Sequence, residues 1–224
     1  MKKIGMCCFL AVLAASMLSA CGDYETGSTN ESSTESTLSV AKELTSAELI
    51  TDENRHLIGT EIISTYTPEV SEQENAIGSD ENNIQIFPWN DVVSAAADDV
   101  TVPSTISVFA ATENVTPEVI IPNGSCAVFV PAEGTRGWSC EKGEILQFSF
   151  EKYESEVSKE QTMVIGVVDN GTMIAGKAET DSQGAYTYTV NEEGEYAIYI
   201  ISATSDYLSL KTGQINLIEA ATTE

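Results

Sequence analysis

Short apolar runs alternate with turn residues along the second half of the chain. From residue 103 onward, runs rich in Val, Ile, Phe and Tyr are separated by Gly, Asn, Asp and Glu. This spacing is typical of β-strands joined by short turns. It predicts strands at residues 105–111, 125–130, 144–151, 162–168, 172–177, 185–190, 195–202, 207–210 and 214–218.

These strands predict an all-β fold class, an antiparallel β-sandwich of the jelly-roll or immunoglobulin-like type. Between two of the apolar runs stand Asn170 and Gly171. This pair favours a type I′ hairpin turn, because both central residues of such a turn must accept a positive φ. About 120 residues suffice for one hydrophobic core, so residues 103–224 are expected to form a single sandwich domain.

The first half of the chain shows no sustained period. Residues 48–102 are acidic and predict a poorly structured segment with short helical pieces. A capping box places one helix at 45–63, and Asn90 opens a helical turn at 89–99. Residues 21–47 are rich in Ser, Thr and Glu, a composition that predicts a disordered tether because it buries too little apolar surface to fold.

A processing segment precedes the tether. Lys2 and Lys3 stand before an uncharged apolar run at residues 4–15, which is followed by small residues. A membrane-spanning helix needs about 20 apolar residues, more than this run supplies. Residues 1–20 therefore predict a secretory signal peptide, with cleavage between Ala20 and Cys21.

The residues Leu18-Ser19-Ala20-Cys21 resemble the lipobox of bacterial lipoproteins. The resemblance implies that Cys21 carries a diacylglyceryl group and becomes the mature N-terminus. The alternative is an ordinary cleaved signal peptide followed by a free cysteine. Two acyl chains hold a protein durably on a membrane, so the expected location is the extracytoplasmic side of the cell membrane, in an envelope of one or two membranes.

Two stretches of the second half, GWSCEKGEIL at 137–146 and GAYTYTVNEEGEYAIYI at 184–200, also resemble a known class. They look like extracellular β-sandwich modules of Gram-positive surface lipoproteins and the outward-facing tails of some membrane-bound sensor peptidases. The resemblance covers about the last half of the chain. It implies a fold and carries over no catalytic residue.

Charge excludes several classes of partner. The formal net charge is −25, and loss of Lys2 and Lys3 with the signal peptide makes it −27. Such a chain disfavours nucleic acid and anionic lipid surfaces. The acidic loop at 79–83 lacks the ligand spacing of a calcium site, so the acids predict a solvated surface without a bound metal.

Catalytic constellations are scarce. His56 is the sole histidine, and it lies before the predicted sandwich, which argues against Ser-His-Asp and Cys-His chemistry. Together with Cys126 and Cys140 it has no zinc-ligand spacing. The sequence therefore predicts a protein that is not an enzyme and needs no cofactor or metal.

Aromatic residues are the best sequence indication of binding. Trp138, Tyr186 and Tyr188 have the alternate spacing that places side chains on one sheet face. A solvent-exposed face of this kind would bind a sugar or peptide, whereas a buried face would be core. The leading hypothesis is a non-catalytic binding or accessory module for cell-wall polymer, peptide or another surface protein. The alternatives are a structural spacer or surface-display protein without a ligand and, ranked last, a small hydrolase.

Cys126 and Cys140 remain after processing. A hairpin whose turn is Ala132-Glu133-Gly134 places Val128 beside Trp138 and therefore Cys126 opposite Cys140. Opposed cysteines in antiparallel strands suit a disulfide, and an exported protein meets oxidising conditions. A register slip of one residue would instead leave two buried thiols.

Overall fold

The computed structural model describes residues 43–62 and 90–219, together with the backbone of two short strands at Gly78–Ser79 and Ile84–Ile86. These residues belong to one compact unit, Ala41–Glu224. The predicted signal peptide, Ala20, Cys21 and the tether up to residue 42 lie outside the described residues.

Strands dominate the described chain, and its single helical element is a turn of 3-10 helix at Arg55–Leu57. Within this part of the chain, no helix has the length and apolarity needed to cross a membrane. The strands are β1 Glu48–Leu49, β2 Gly78–Ser79, β3 Ile84–Ile86, β4 Ala95–Ala97, β5 Thr105–Ala111, β6 Val119–Ile121, β7 Ser125–Pro131, β8 Trp138–Cys140, β9 Ile145–Lys152, β10 Met163–Asp169, β11 Thr172–Met173, β12 Lys177–Glu179, β13 Gln183–Thr189, β14 Gly194–Ser202 and β15 Leu208–Ile218.

The strands form two sheets that pack face to face. Sheet 1 has the order β1-β6-β15-β9-β13 and is antiparallel throughout. Sheet 2 has the order β2-β3-β4-β11-β10-β14-β7-β5, with β12 also beside β10 and β8 also beside β14. Two pairs in sheet 2, β4–β11 and β5–β7, are parallel. The predicted all-β sandwich is confirmed.

Alternation along the strands builds the main core between the sheets. In β9, Leu146, Phe148 and Phe150 are buried while the residues between them face outward. The ring of Phe148 lies 6.2 Å from that of Phe129 on β7, so aromatic side chains of opposite sheets meet at the centre. Period-two patterning is what a sheet with one buried face requires.

Segments before residue 103 cover the outer faces of both sheets. Val93, Ala96 and Val100 are buried in a second cluster on the outer face of sheet 2, and Leu44 packs on Ile120 outside sheet 1. The predicted domain boundary at residue 103 is therefore wrong. The helices predicted within 45–63 and 89–99 are also wrong, because these stretches contain β1, the 3-10 turn and β4 instead.

The turn between β10 and β11 confirms the prediction for Asn170 and Gly171. Their φ angles are 45° and 89°, and Asp169 pairs with Thr172 across the turn. Other strands have bounds that differ from the predicted ones. The runs at 207–210 and 214–218 form one strand, β15, with a register shift between Leu210 and Thr212.

The predicted hairpin between β7 and β8 is wrong. Both strands run antiparallel to β14 and lie on the same side of it, with Val128 opposite Tyr199 and Trp138 opposite Tyr196. Gly134 has the expected positive φ of 78°, but the loop that contains it connects two strands that pair with the same edge of β14. Chain direction is therefore kept from β7 to β8 rather than reversed.

Candidate functional site

Three strands of sheet 1, β13, β9 and β15, present a polar outer face. Nine of its residues form three adjacent cross-strand rows, and each of the nine is exposed or half-buried. The next row, Thr189-Ile145-Ile218, is mainly apolar. We call the surface of the nine residues the polar face. The rows are Thr187-Gln147-Asn216, Ala185-Ser149-Gln214 and Gln183-Glu151-Thr212.

The polar face is almost free of charge. Glu151 is its one ionisable residue, and that carboxylate accepts a hydrogen bond from Lys211 Nζ at 2.6 Å. The chain as a whole carries 35 acidic residues. With strands about 4.8 Å apart and alternate residues about 6.8 Å apart, the face measures about 10 by 14 Å. It offers amide and hydroxyl groups over a flat area of the size of a few sugar units.

The predicted aromatic binding face is not a surface. Trp138 is 6% exposed and Tyr186 is 8% exposed, and both belong to the core between the sheets. Tyr188 packs against this core, with its ring 5.9 Å from that of Tyr196. Alternate spacing puts Tyr186 and Tyr188 on one face of sheet 1, as predicted, but that face is the inner one, and Trp138 lies on β8 of the opposite sheet. The binding role predicted for them is wrong.

The predicted Cys126–Cys140 disulfide is also wrong. Both side chains are buried free thiols. Cys126 pairs with Ile201 and lies in the outer cluster of sheet 2, whereas Cys140 pairs with Gly194 and lies in the main core. Seven positions of β14 separate their partners, about 23 Å of strand. Burial raises the pKa of Cys126, and burial together with the Glu144 charge raises that of Cys140 to about 11.

A buried hydrogen-bond network surrounds Asp206, which has no exposed surface. Its carboxylate accepts hydrogen bonds from the hydroxyls of Ser155 and Thr204, and from Gln161 Nε2 at 2.8 Å. Burial alone would raise the pKa of Asp206, but these three bonds outweigh it and hold that pKa below its usual value. We call this set the Asp206 network. It ties the loop between β9 and β10 to the start of β15.

Lys152 lies beside this network and is 5% exposed. Its ammonium donates to the carbonyl oxygens of Gln161 at 2.7 Å and Thr180 at 3.0 Å. Burial lowers the pKa of Lys152, opposed by the charges of Asp181, Glu179 and Asp206. A polar cavity of about 260 Å³ opens next to it. The lysine holds two loops together through their backbone, which is a structural role.

The ionisable side chains of the described residues do not form a metal centre. In residues 43–62 and 90–219, no three His, Cys, Asp or Glu side chains cluster as metal ligands would. His56 lies in the exposed 3-10 turn.

A second cavity, of about 370 Å³, lies where β5 ends and the β7–β8 loop begins. We call it the end cavity. Glu113 and Asn114 form a tight turn with positive φ angles of 52° and 62°, and Trp138 Nε1 donates to Asn114 Oδ1 at 2.8 Å. Glu133 lines the cavity from the β7–β8 loop. Sequence reasoning missed this site because its walls come from two loops that only the fold brings together.

Comparisons with known proteins include two distant structural similarities. No family model and no curated protein sequence matches the chain. One similarity is to a periplasmic inhibitor of g-type lysozyme from Aeromonas hydrophila, with 10% sequence identity and a TM-score of 0.32. The matched region covers 50% of this chain and 99% of the inhibitor. A xylan-binding domain of Xyn10C from Paenibacillus barcinonensis is 18% identical, covering 46% and 87%, with a TM-score of 0.29. Scores this low carry no conclusion about activity.

Proposed function

We propose that this protein is a lipid-anchored, non-catalytic binding module on the extracytoplasmic side of the membrane. The anchor is Cys21, on the strength of the lipobox Leu18-Ser19-Ala20-Cys21. The binding surface is the polar face, and its ligand is an uncharged, hydroxyl-rich polymer such as a neutral polysaccharide.

The near absence of charge on the polar face is the observation that carries this proposal. Amide side chains such as Gln147 and Asn216 both donate and accept hydrogen bonds, as sugar hydroxyls do. An acidic chain of net charge −25 repels anionic polymers at long range. A neutral area on such a body therefore favours an uncharged ligand, and its size of about 10 by 14 Å suits a few sugar units of a polymer.

The anchor is tested by metabolic labelling with an alkyne fatty acid. We expect the native chain to take up the label and to partition with membranes, because two acyl chains bind durably. The Cys21→Ser variant should lose both the label and the membrane association. A Cys21→Ser variant that still sediments with membranes would contradict the anchor.

Polymer binding is tested by retention of the full mature chain, in detergent, on insoluble cellulose, peptidoglycan and polygalacturonate. We expect saturable retention on a neutral polymer and none on polygalacturonate. The double variant Gln147→Ala with Asn216→Ala should bind about 30-fold more weakly, because each lost hydrogen bond contributes about 1 kcal/mol.

Asn123→Ala with Asn191→Ala is the matched control, since it removes two exposed loop amides outside the polar face. This control should bind like the native chain. Equal loss in both double variants would show that the polar face is not the site. Failure of the native chain to bind any polymer would overturn the binding function and favour the spacer role.

A further inference from the structure

Strand β5 is an edge strand of sheet 2. Its seven residues, Thr105–Ala111, pair in parallel with β7, and its other side meets no strand among the described residues. Every second residue of an edge strand directs its N–H and C=O away from the sheet. Val108, at the middle of the strand, is 38% exposed. Among the described residues, no strand pairs with these outward donors and acceptors of β5.

Natural proteins normally protect such an edge. Lysine, proline, a bulge or a very short strand prevents pairing with another chain. The sequence of β5, TISVFAA, contains no charge and no proline, and its register with β7 is continuous. Val and Ile favour extended pairing. Seven consecutive uncharged residues on an edge strand are unusual in an acidic chain, and they favour pairing with a partner strand.

The end cavity lies at the Ala111 end of this edge. Glu113 and Glu133 are both exposed and line it, and its walls contain no Lys or Arg. Its volume of about 370 Å³ admits one long side chain. A basic side chain there would meet two carboxylates and lie near the indole of Trp138.

We propose that β5 binds an extended peptide segment of another protein as an added edge strand, with a Lys or Arg side chain in the end cavity. Main-chain hydrogen bonds along β5 hold the strand, and alternate side chains set its specificity. A β5 of seven residues spans about 20 Å between its ends. The partner segment is therefore about seven residues long, mostly uncharged, with its basic residue at the Ala111 end.

A second copy of this chain fits the edge poorly. Pairing of two β5 strands would join two bodies that each carry −25. A seven-residue strand pair alone also buries less than the roughly 1,000 Å² that stable interfaces need. A basic peptide instead gains from the acidic field of the protein.

Fluorescence anisotropy of labelled synthetic peptides tests the proposal on the full mature chain in detergent. The probes are heptapeptides of alternating Thr and Val with one Lys at either the N-terminal or the C-terminal end, since an edge accepts either strand direction. We expect at least one of the pair to bind saturably. Lys→Glu in that peptide should weaken binding about tenfold, the sum of two exposed ion pairs. Two further peptides carry N-methyl groups on the odd-numbered or on the even-numbered amides. One of the two should not bind, because its methyl groups replace the N–H groups that face β5.

Two charge variants locate the site. Glu113→Gln with Glu133→Gln should bind the Lys peptide about tenfold more weakly. Glu192→Gln with Glu193→Gln removes the same charge at another exposed turn and should bind it normally. The polar-face variant of Gln147 and Asn216 should also bind it normally, which separates this site from the polymer site. The proposal fails if neither Lys peptide binds or if both N-methylated peptides bind as well as the parent peptide. It also fails if the two charge variants bind the Lys peptide with equal affinity.

Discussion

Replacing Asp206 with alanine is expected to lower the free energy of unfolding by about 3 to 5 kcal/mol, the usual cost of breaking a buried charged network. The carboxylate has no exposed surface and receives three side-chain hydrogen bonds. Alanine would leave the Thr204 hydroxyl without an acceptor, and Ser155 and Gln161 would keep only the carbonyl oxygens of Gly59 and Tyr207. An unsatisfied buried donor costs about 1 to 3 kcal/mol, and the lost carboxylate also leaves a cavity. Urea unfolding followed by tryptophan fluorescence measures the loss.

The Asp206→Asn variant is expected to lie between the native chain and Asp206→Ala. The amide oxygen still accepts from Gln161, and the Thr204 hydroxyl is free to rotate and accept from the amide N–H. Asp98→Asn removes the same charge from an exposed turn and should change stability by less than about 0.5 kcal/mol. An Asp206→Ala variant as stable as Asp98→Asn would show that the network contributes nothing.

The pH dependence of the same variants has a defined sign. The pKa of Asp206 is lowered in the folded state, despite its burial, because three donors bind the charged form. Its contribution is therefore complete above the unfolded-state pKa of about 4 and is lost as the pH falls through the folded-state pKa. The stability gap between the native chain and Asp206→Asn should narrow below about pH 4.

Local patterns predicted much of the fold. The alternation in β9 separates Phe148 and Phe150 from Ser149 in the sequence itself, and Asn170-Gly171 specifies its turn through backbone sterics. Pairing between distant strands is not local. β7 and β8 are held in line because both pair with the same edge of β14. Since β14 begins more than 50 residues after β8 begins, the sequence near β7 and β8 could not predict this arrangement.

In the candidate site too, local patterns were predictable from the sequence and the pairing of distant strands was not. The outward positions Gln147 and Asn216 are polar in sequence, yet only the sheet order places their strands side by side. Alternate spacing of Tyr186 and Tyr188 predicted that they share a face but could not tell the inner face from the outer one. Val93 and Ala96 are buried in the outer cluster of sheet 2, and Ala95 next to Ala96 is buried as well, so their segment shows no period-two pattern.

Gly166→Ala is expected to destabilise the sandwich by about 3 kcal/mol, because overpacking at a buried site costs about 1 to 3 kcal/mol and a lost buried hydrogen bond adds to it. A Cβ at Gly166 would overlap the ring of Tyr199 on the neighbouring strand. That ring is fully buried, and its hydroxyl donates to the carbonyl oxygen of Ile174 at 2.7 Å. The ring can move away from the new methyl group only by giving up this bond.

A double-mutant cycle measures that coupling by urea unfolding. Tyr199→Leu alone should be destabilising because it empties part of the outer cluster. Combined with Gly166→Ala it should cost at least about 1 kcal/mol less than the sum of the single changes, since leucine makes room for the methyl group. Gly166→Ala with Phe148→Leu, whose side chain lies in the main core, should be additive. Additivity in the Tyr199 cycle would contradict the close packing of Gly166 against this ring.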